Sequence, residues 1–191
     1  LARGAAAGYY GRMGDESSDQ AGPRPVTTPP APTEADLDAQ MDVPGASILV
    51  VDDHEQNLEL LQAYLEEIGC RIRTAADGLQ ALAEIDAEQP DLIILDVMMP
   101  RMSGYQLCSK IKGDPGTRDI PVVMVTALSE VGDVEKAVES GADDFLTKPV
   151  YKLELVTRAK SLLRVRLLKR QLEATLRQMR ELQERVDEAD M

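Results

Sequence analysis

The chain has no tryptophan, a single phenylalanine, one histidine and two cysteines among its 191 residues. A core built from this composition must be mainly aliphatic, and apolar residues do concentrate between Ile48 and Leu168. Cys70 and Cys108 have neither the close spacing of a redox pair nor a metal-ligand pattern, so they read as small buried hydrophobes of a reducing compartment. No apolar run approaches the roughly 18 residues that a membrane-spanning helix needs. The N-terminus also lacks the apolar segment of a secretory signal. Together these absences predict a cytoplasmic protein with no membrane association.

Acidic residues dominate, at a formal net charge of −13. That balance argues against general affinity for nucleic acid or anionic lipid. It is unevenly spread: residues 47–150 hold 20 acidic and 8 basic side chains, whereas residues 151–191 hold 7 and 10. An acidic body therefore carries a basic C-terminal segment.

Three segments follow from the pattern along the chain. Residues 1–45 contain six of the eleven prolines, with much Gly and Ala and little apolar periodicity, and are expected to form a disordered leader. Residues 46–163 alternate short apolar runs with helical periodicity. Leu58, Leu61, Leu65 and Ile68 share one face of a helix over 55–68, which Gly69 closes. Leu79, Leu82 and Ile85 are expected to point inward from a second helix over 77–88. A third helix spans 104–112 before the breaker Gly113-Asp114-Pro115-Gly116, and a fourth spans 130–140. From Lys152 onward the helical pattern hardly stops. Five strands alternating with helices predict a doubly wound α/β domain with a parallel sheet.

In such sheets ligands bind just beyond the carboxyl ends of the strands. Here Ser47–Val51 ends in Asp52-Asp53, Asp91–Leu95 in Asp96, Ile120–Val125 in Thr126, and Ala142–Thr147 in Lys148-Pro149. Three carboxylates, a hydroxyl and an ammonium would then meet in one crevice. That set suits a divalent cation together with a phosphoryl group bonded to an aspartate, since carboxylates can act as covalent nucleophiles.

The motifs Val50-Val51-Asp52-Asp53, Leu95-Asp96-Val97-Met98-Met99-Pro100-Arg101-Met102-Ser103-Gly104, Val125-Thr126-Ala127 and Gly141-Ala142-Asp143-Asp144-Phe145-Leu146-Thr147-Lys148-Pro149 resemble those of response-regulator receiver domains of two-component signalling. The resemblance implies a flavodoxin-like sheet of strand order 2-1-3-4-5. It also implies that Asp96 accepts the phosphoryl group. Asp53, Asp96 and the Met98 backbone carbonyl would hold Mg²⁺, with Asp52 acting mainly through water. Lys148 would pair with Asp96 and then with phosphoryl oxygens, ahead of a cis peptide at Pro149. Thr126 and Ala127 would contact the phosphoryl group, and Phe145 matches the family's aromatic switch position. Phe145 as a plain core aromatic is the competing reading. Asp53 is also placed to cap the helix that follows it, while His54 reads as an exposed helix-start residue. Met98 and Leu128 are expected to flank the crevice.

Residues 164–191 extend beyond what the domain needs. Val165, Leu172, Met179 and Val186 at heptad position a, with Leu168, Thr175 and Leu182 at d, form a seam of about three heptads in which six of the seven residues are apolar. Leu167 and Leu176 lie off that seam. The expectation is a helical coiled-coil extension that forms a homodimer. Its basic first half is expected to be drawn to an acidic receiver surface of the same or a neighbouring protomer. The partner implied is a histidine kinase or phosphotransfer protein, since one histidine does not supply an internal donor domain. Self-phosphorylation from a donor and slow self-dephosphorylation are the only reactions expected. Two other readings are a phosphorylation-independent scaffold and the regulatory front end of an output enzyme. The long tail resembles linkers of receivers joined to diguanylate cyclases.

Overall fold

The computed structural model describes Val43 and residues 45–127, 135–136 and 138–189. The leader over 1–45, apart from Val43 and Gly45, and most of the expected fourth helix lie outside the described residues, as does Leu128. The strands β1 (Ser47–Val51), β2 (Arg71–Ala75), β3 (Leu92–Asp96), β4 (Val122–Thr126) and β5 (Asp144–Thr147) form one parallel sheet, ordered β2-β1-β3-β4-β5. This is the flavodoxin-like order. Four helices are fully described: α1 (Glu55–Leu65), α2 (Gly78–Ala87), α3 (Gly104–Gly113) and α4 (Lys152–Ala189).

The sheet is central because its three inner strands, β1, β3 and β4, are apolar and buried on both faces. Along β1, Leu49 and Val51 join the layer packed with α2 and α3, while Ile48 and Val50 join the layer packed with α1 and α4. β3 divides in the same way, with Ile93 and Leu95 on one side and Leu92 and Ile94 on the other. Such two-sided burial is the mark of parallel strands. With each large aliphatic side chain worth about 1.5–3 kcal/mol on burial, the missing aromatics are not needed. Cys108 is buried in this core, Cys70 is partly buried, and both are free thiols.

Several local expectations are modified. The first helix ends as α-helix at Leu65 and tightens to a 3₁₀ turn over Glu66–Ile68, closed by Gly69 at φ 80°. Leu79 does not point inward: it is 60% exposed. The Asp77 carboxylate caps α2 at Leu79 N and Gln80 N, and Gly78, Ala81 and Ile85 form its buried stripe. Ile85 and Leu82, which packs against the same core, face inward as expected. Asp53 does not cap α1 either. The N-cap residue is His54, which makes no side-chain cap bond.

α4 runs unbroken through the expected boundary at 163/164, and the boundary is a change in what the helix touches. Leu155, Val156, Ala159 and Leu163 enter the core, and Leu167 packs at its edge. Next, Arg166 donates to the Asp119 carbonyl at 3.3 Å and the Lys169 ammonium lies 2.6 Å from the Asp119 carboxylate. Arg170 pairs with the buried carboxylate of Asp91, which also accepts Ser47 N at 3.0 Å. The basic half of the helix is thus held by acids at the amino ends of β3 and β4 of its own domain. Beyond it, Leu172, Leu176, Met179 and Leu182 are exposed, as is Val165. The side chain of Val186 lies outside the described residues.

Gly104 sets how closely α3 meets β3. A Cβ there would lie 2.3 Å from the Asp96 carbonyl oxygen and 2.8 Å from the Val97 Cα, both backbone atoms that cannot swing aside. Ser103 and Gln106 form a reciprocal capping box that fixes the start of α3 at this contact. Gly104→Ala should therefore lower the unfolding free energy by about 1–3 kcal/mol, the usual cost of overpacking. Urea denaturation measures this, and an unchanged midpoint would show that the end of β3 yields freely.

Candidate functional site

The parallel register places Val51 beside Leu95, so the next residues, Asp52 and Asp96, leave the sheet side by side. Asp52 is 0% exposed and Asp96 2%. β5 brings Lys148 to the same end, where its amide donates to the Thr126 carbonyl at 2.7 Å. The lysine side chain spans the gap left by β4. Its ammonium lies 3.0 Å from Asp96 Oδ1 and 3.4 Å from Asp52 Oδ2. The peptide between Lys148 and Pro149 is cis.

The two carboxylates are served differently. Asp52 Oδ1 accepts the His54 amide at 2.9 Å, and Asn57 Nδ2 donates to Oδ1 at 3.0 Å and to Oδ2 at 2.9 Å. Asp96 Oδ1 is buried, and although Lys148 is at ion-pair distance, no hydrogen bond of acceptable geometry reaches it from the described residues. Burial raises the Asp96 pKa above its usual 3.8; contact with Lys148 opposes this, the Asp52 charge adds to it, and the Met98 amide opposes it. Burial alone would lower the Lys148 pKa, but contact with Asp96 and then Asp52 outweighs it and the net shift is upward. The ammonium is thus held charged between two buried acids, with a third carboxylate, Asp53, beside Asp52.

Asp53 is half-buried, and its Oδ1 lies 2.9 Å from His54 Nδ1. Single ligand atoms of Asp52, Asp53 and His54 all lie within 4.8 Å of one another. Such a carboxylate-rich set, with the unbonded Asp96 oxygen at the same end of the sheet, fits a hard divalent cation. Thr126 follows Val125, the register partner of Asp96, and is buried, while Ala127 is exposed. Phe145 sits in β5 beside Met124 and is 36% exposed, more open than a core aromatic. Met98 is 58% exposed at the rim. In the same loop, Met102 N donates to the Pro100 carbonyl at 2.7 Å across Arg101, which has φ 68°. A non-glycine residue in this region is strained, and it lies five residues past Asp96.

Sequence reasoning missed Asn57, and His54 was not assigned to the acidic cluster. Asn57 lies four residues before Leu61 on the buried face of α1. A polar side chain at that place on an apolar stripe was the available signal.

These features identify a family. The description of the response regulator receiver domain matches residues 48–160, more than half of the chain, and the chain belongs to that family. Among curated relatives it is 50% identical over 137 residues to the response regulator PleD of Caulobacter vibrioides, covering 70% of this chain and 30% of PleD. It is 43% identical to the probable transcriptional regulator ycf27 of Cyanophora paradoxa, covering 65% of this chain and 51% of that protein. The chain thus spans from about a third to about half of these relatives' length. Among solved structures, a signal receiver domain of a histidine kinase from Syntrophus aciditrophicus is 43% identical at a TM-score of 0.59, covering 62% of this chain and 90% of the other. The BeF3-activated DrrB receiver domain is 36% identical at a TM-score of 0.57, covering 62% and 97%.

The balance of charges predicts how Asp96 titrates. In ¹³C NMR its carboxyl carbon should titrate above 3.8. Lys148→Met removes the opposing charge and should move the midpoint higher, whereas a bound divalent cation should move it lower. A midpoint unmoved by Lys148→Met would show that the ammonium does not act on Asp96.

Proposed function

We propose that the chain is a phosphorylatable receiver: Asp96 takes a phosphoryl group in the presence of Mg²⁺, and the change is passed to the C-terminal helix. The supporting observation is the buried, unbonded Asp96 oxygen beside Lys148. An Asp96 oxygen attacks phosphorus as the donor's P–N or P–O bond breaks, and the electron pair leaves with the donor. Asp53, Asp96 and the Met98 carbonyl would hold Mg²⁺, with Asp52 acting through water. Bound there, the ion supplies positive charge for the phosphoryl oxygens. Lys148 neutralises charge before transfer and meets a phosphoryl oxygen after it. Thr126 and Ala127 receive the phosphoryl group on the β4 side. Phe145, already partly exposed, is the side chain whose rotation would report the state.

The donor in this reading is a histidine kinase or phosphotransfer protein. The chain performs no chemistry beyond its own phosphorylation and dephosphorylation, and acts in the cytoplasm. No described helix is long and apolar enough to cross a membrane. The exposed stripe of Leu172, Met179 and Leu182 supports pairing with a second copy. The contacts of Arg166, Lys169 and Arg170 with the same domain favour a pairing segment that starts after residue 170. The likeness to PleD over 30% of its length favours a second reading of the same module, as the regulatory front end of a longer protein.

Intact-mass analysis with acetyl phosphate and Mg²⁺ tests the reaction. Wild type should gain one phosphoryl group and Asp96→Asn none. An adduct on both proteins, or on neither with a kinase mixture supplied, would overturn the assignment. Light scattering on the same samples should give the mass of a dimer. Replacing both Leu172 and Met179 by Lys should give a monomer that still accepts the phosphoryl group.

A further inference from the structure

Asn57 does more than begin a helix. It is the third residue of α1, its backbone N–H is already bonded to the His54 carbonyl at 3.0 Å, and its side chain spans both oxygens of the fully buried Asp52 carboxylate. Oδ1 therefore accepts two donors, His54 N and Asn57 Nδ2, and Oδ2 accepts Asn57 Nδ2 with the more distant Lys148 ammonium. A carboxylate offers about four acceptor sites. Those of Asp52 are taken by the protein, whereas among the described residues no hydrogen bond reaches Oδ1 of Asp96 and His54 alone bonds Asp53.

We propose that Asn57 is a positioning residue for the cation site, holding Asp52 turned so that the cation is ligated by its neighbours. The inference rests on the Mg²⁺ reading above. Two consequences follow from the geometry. First, Asp52 cannot offer a direct lone pair without giving up a hydrogen bond, so it acts on the cation by charge and through solvent. Second, Lys148 stands between two acids, 3.0 Å from Asp96 and 3.4 Å from Asp52. By satisfying Asp52, Asn57 leaves the ammonium nearer Asp96. Without Asn57, a buried carboxylate short of two hydrogen bonds draws Lys148 toward itself, or turns toward the cation. Either change unsettles the site. A residue that merely starts the helix would cost stability when replaced but leave cation binding alone.

The experiment is calorimetric titration of the full chain with Mg²⁺ alone. Asn57→Leu, close to the same size but without donors, should bind Mg²⁺ on the order of 10-fold more weakly, the usual effect of losing a group that orients a metal site. In an Asp52→Asn background the same replacement should change nothing further, because the effect passes through Asp52. Asn57→Ser, which removes the two-armed contact with less change in apolar character, should weaken binding similarly if Asn57→Leu does not fold. Wild-type affinity in either folded variant would overturn the proposal, as would a full additional loss on top of Asp52→Asn. Failure of wild type itself to bind Mg²⁺ would overturn the cation reading, and this inference with it.

Discussion

Two carboxylates buried side by side at the ends of adjacent strands, sharing one ammonium, are the constraint on which the structure depends. Asp52 and Asp96 are carried there by the β1–β3 register, and neither is reached by enough solvent to dilute its charge. Like charges at such a place raise each other's cost of ionisation. Lys148, Asn57 and the His54 amide offset that cost unequally, bonding Asp52 fully and leaving an Asp96 oxygen without a hydrogen bond. A pocket in this condition has a use for added positive charge, and its least satisfied oxygen is the one proposed as nucleophile.

The rest of the fold keeps that oxygen in place. β3 lies at the middle of the sheet, so its backbone is bonded on both edges and its side chains are packed on both faces. At its carboxyl end Gly104 lets α3 approach to a distance that no other residue would allow. At its amino end Asp91 joins Ser47 N to Arg170 of α4. One strand therefore carries Asp96, the proposed phosphoryl acceptor, at one end and a grip on the long helix at the other.

Much of this was legible in the sequence because parallel strands announce themselves by continuous apolar runs, and their ends place polar residues by topology alone. Asp52, Asp96, Thr126 and Lys148 could be put at one end of the sheet before any coordinate was known. What escaped depended on side-chain direction. In α2, Leu82 and Ile85 face the core as their spacing predicts, but Gly78 and Ala81 complete the buried stripe and Leu79 is left in solvent. Asp53 had the right residue type and spacing for a cap, yet faces the His54 imidazole instead. Asn57 was passed over because an asparagine in the first turn of a helix is unremarkable until its amide is seen spanning a buried carboxylate. The tail's basic residues were expected to seek an acidic surface. In the structure they pair with Glu67, Asp144, Asp119 and Asp91 of the same domain.

The most direct test is a crystal structure of this chain grown with Mg²⁺ and beryllofluoride, a mimic of a phosphoryl group. The account predicts beryllium density on an Asp96 carboxylate oxygen, a cation touching Asp53 and Asp96 but not Asp52, and the Lys148 ammonium turned onto a fluoride. Density on a different carboxylate, or an ordered site that excludes both ligands, would contradict it.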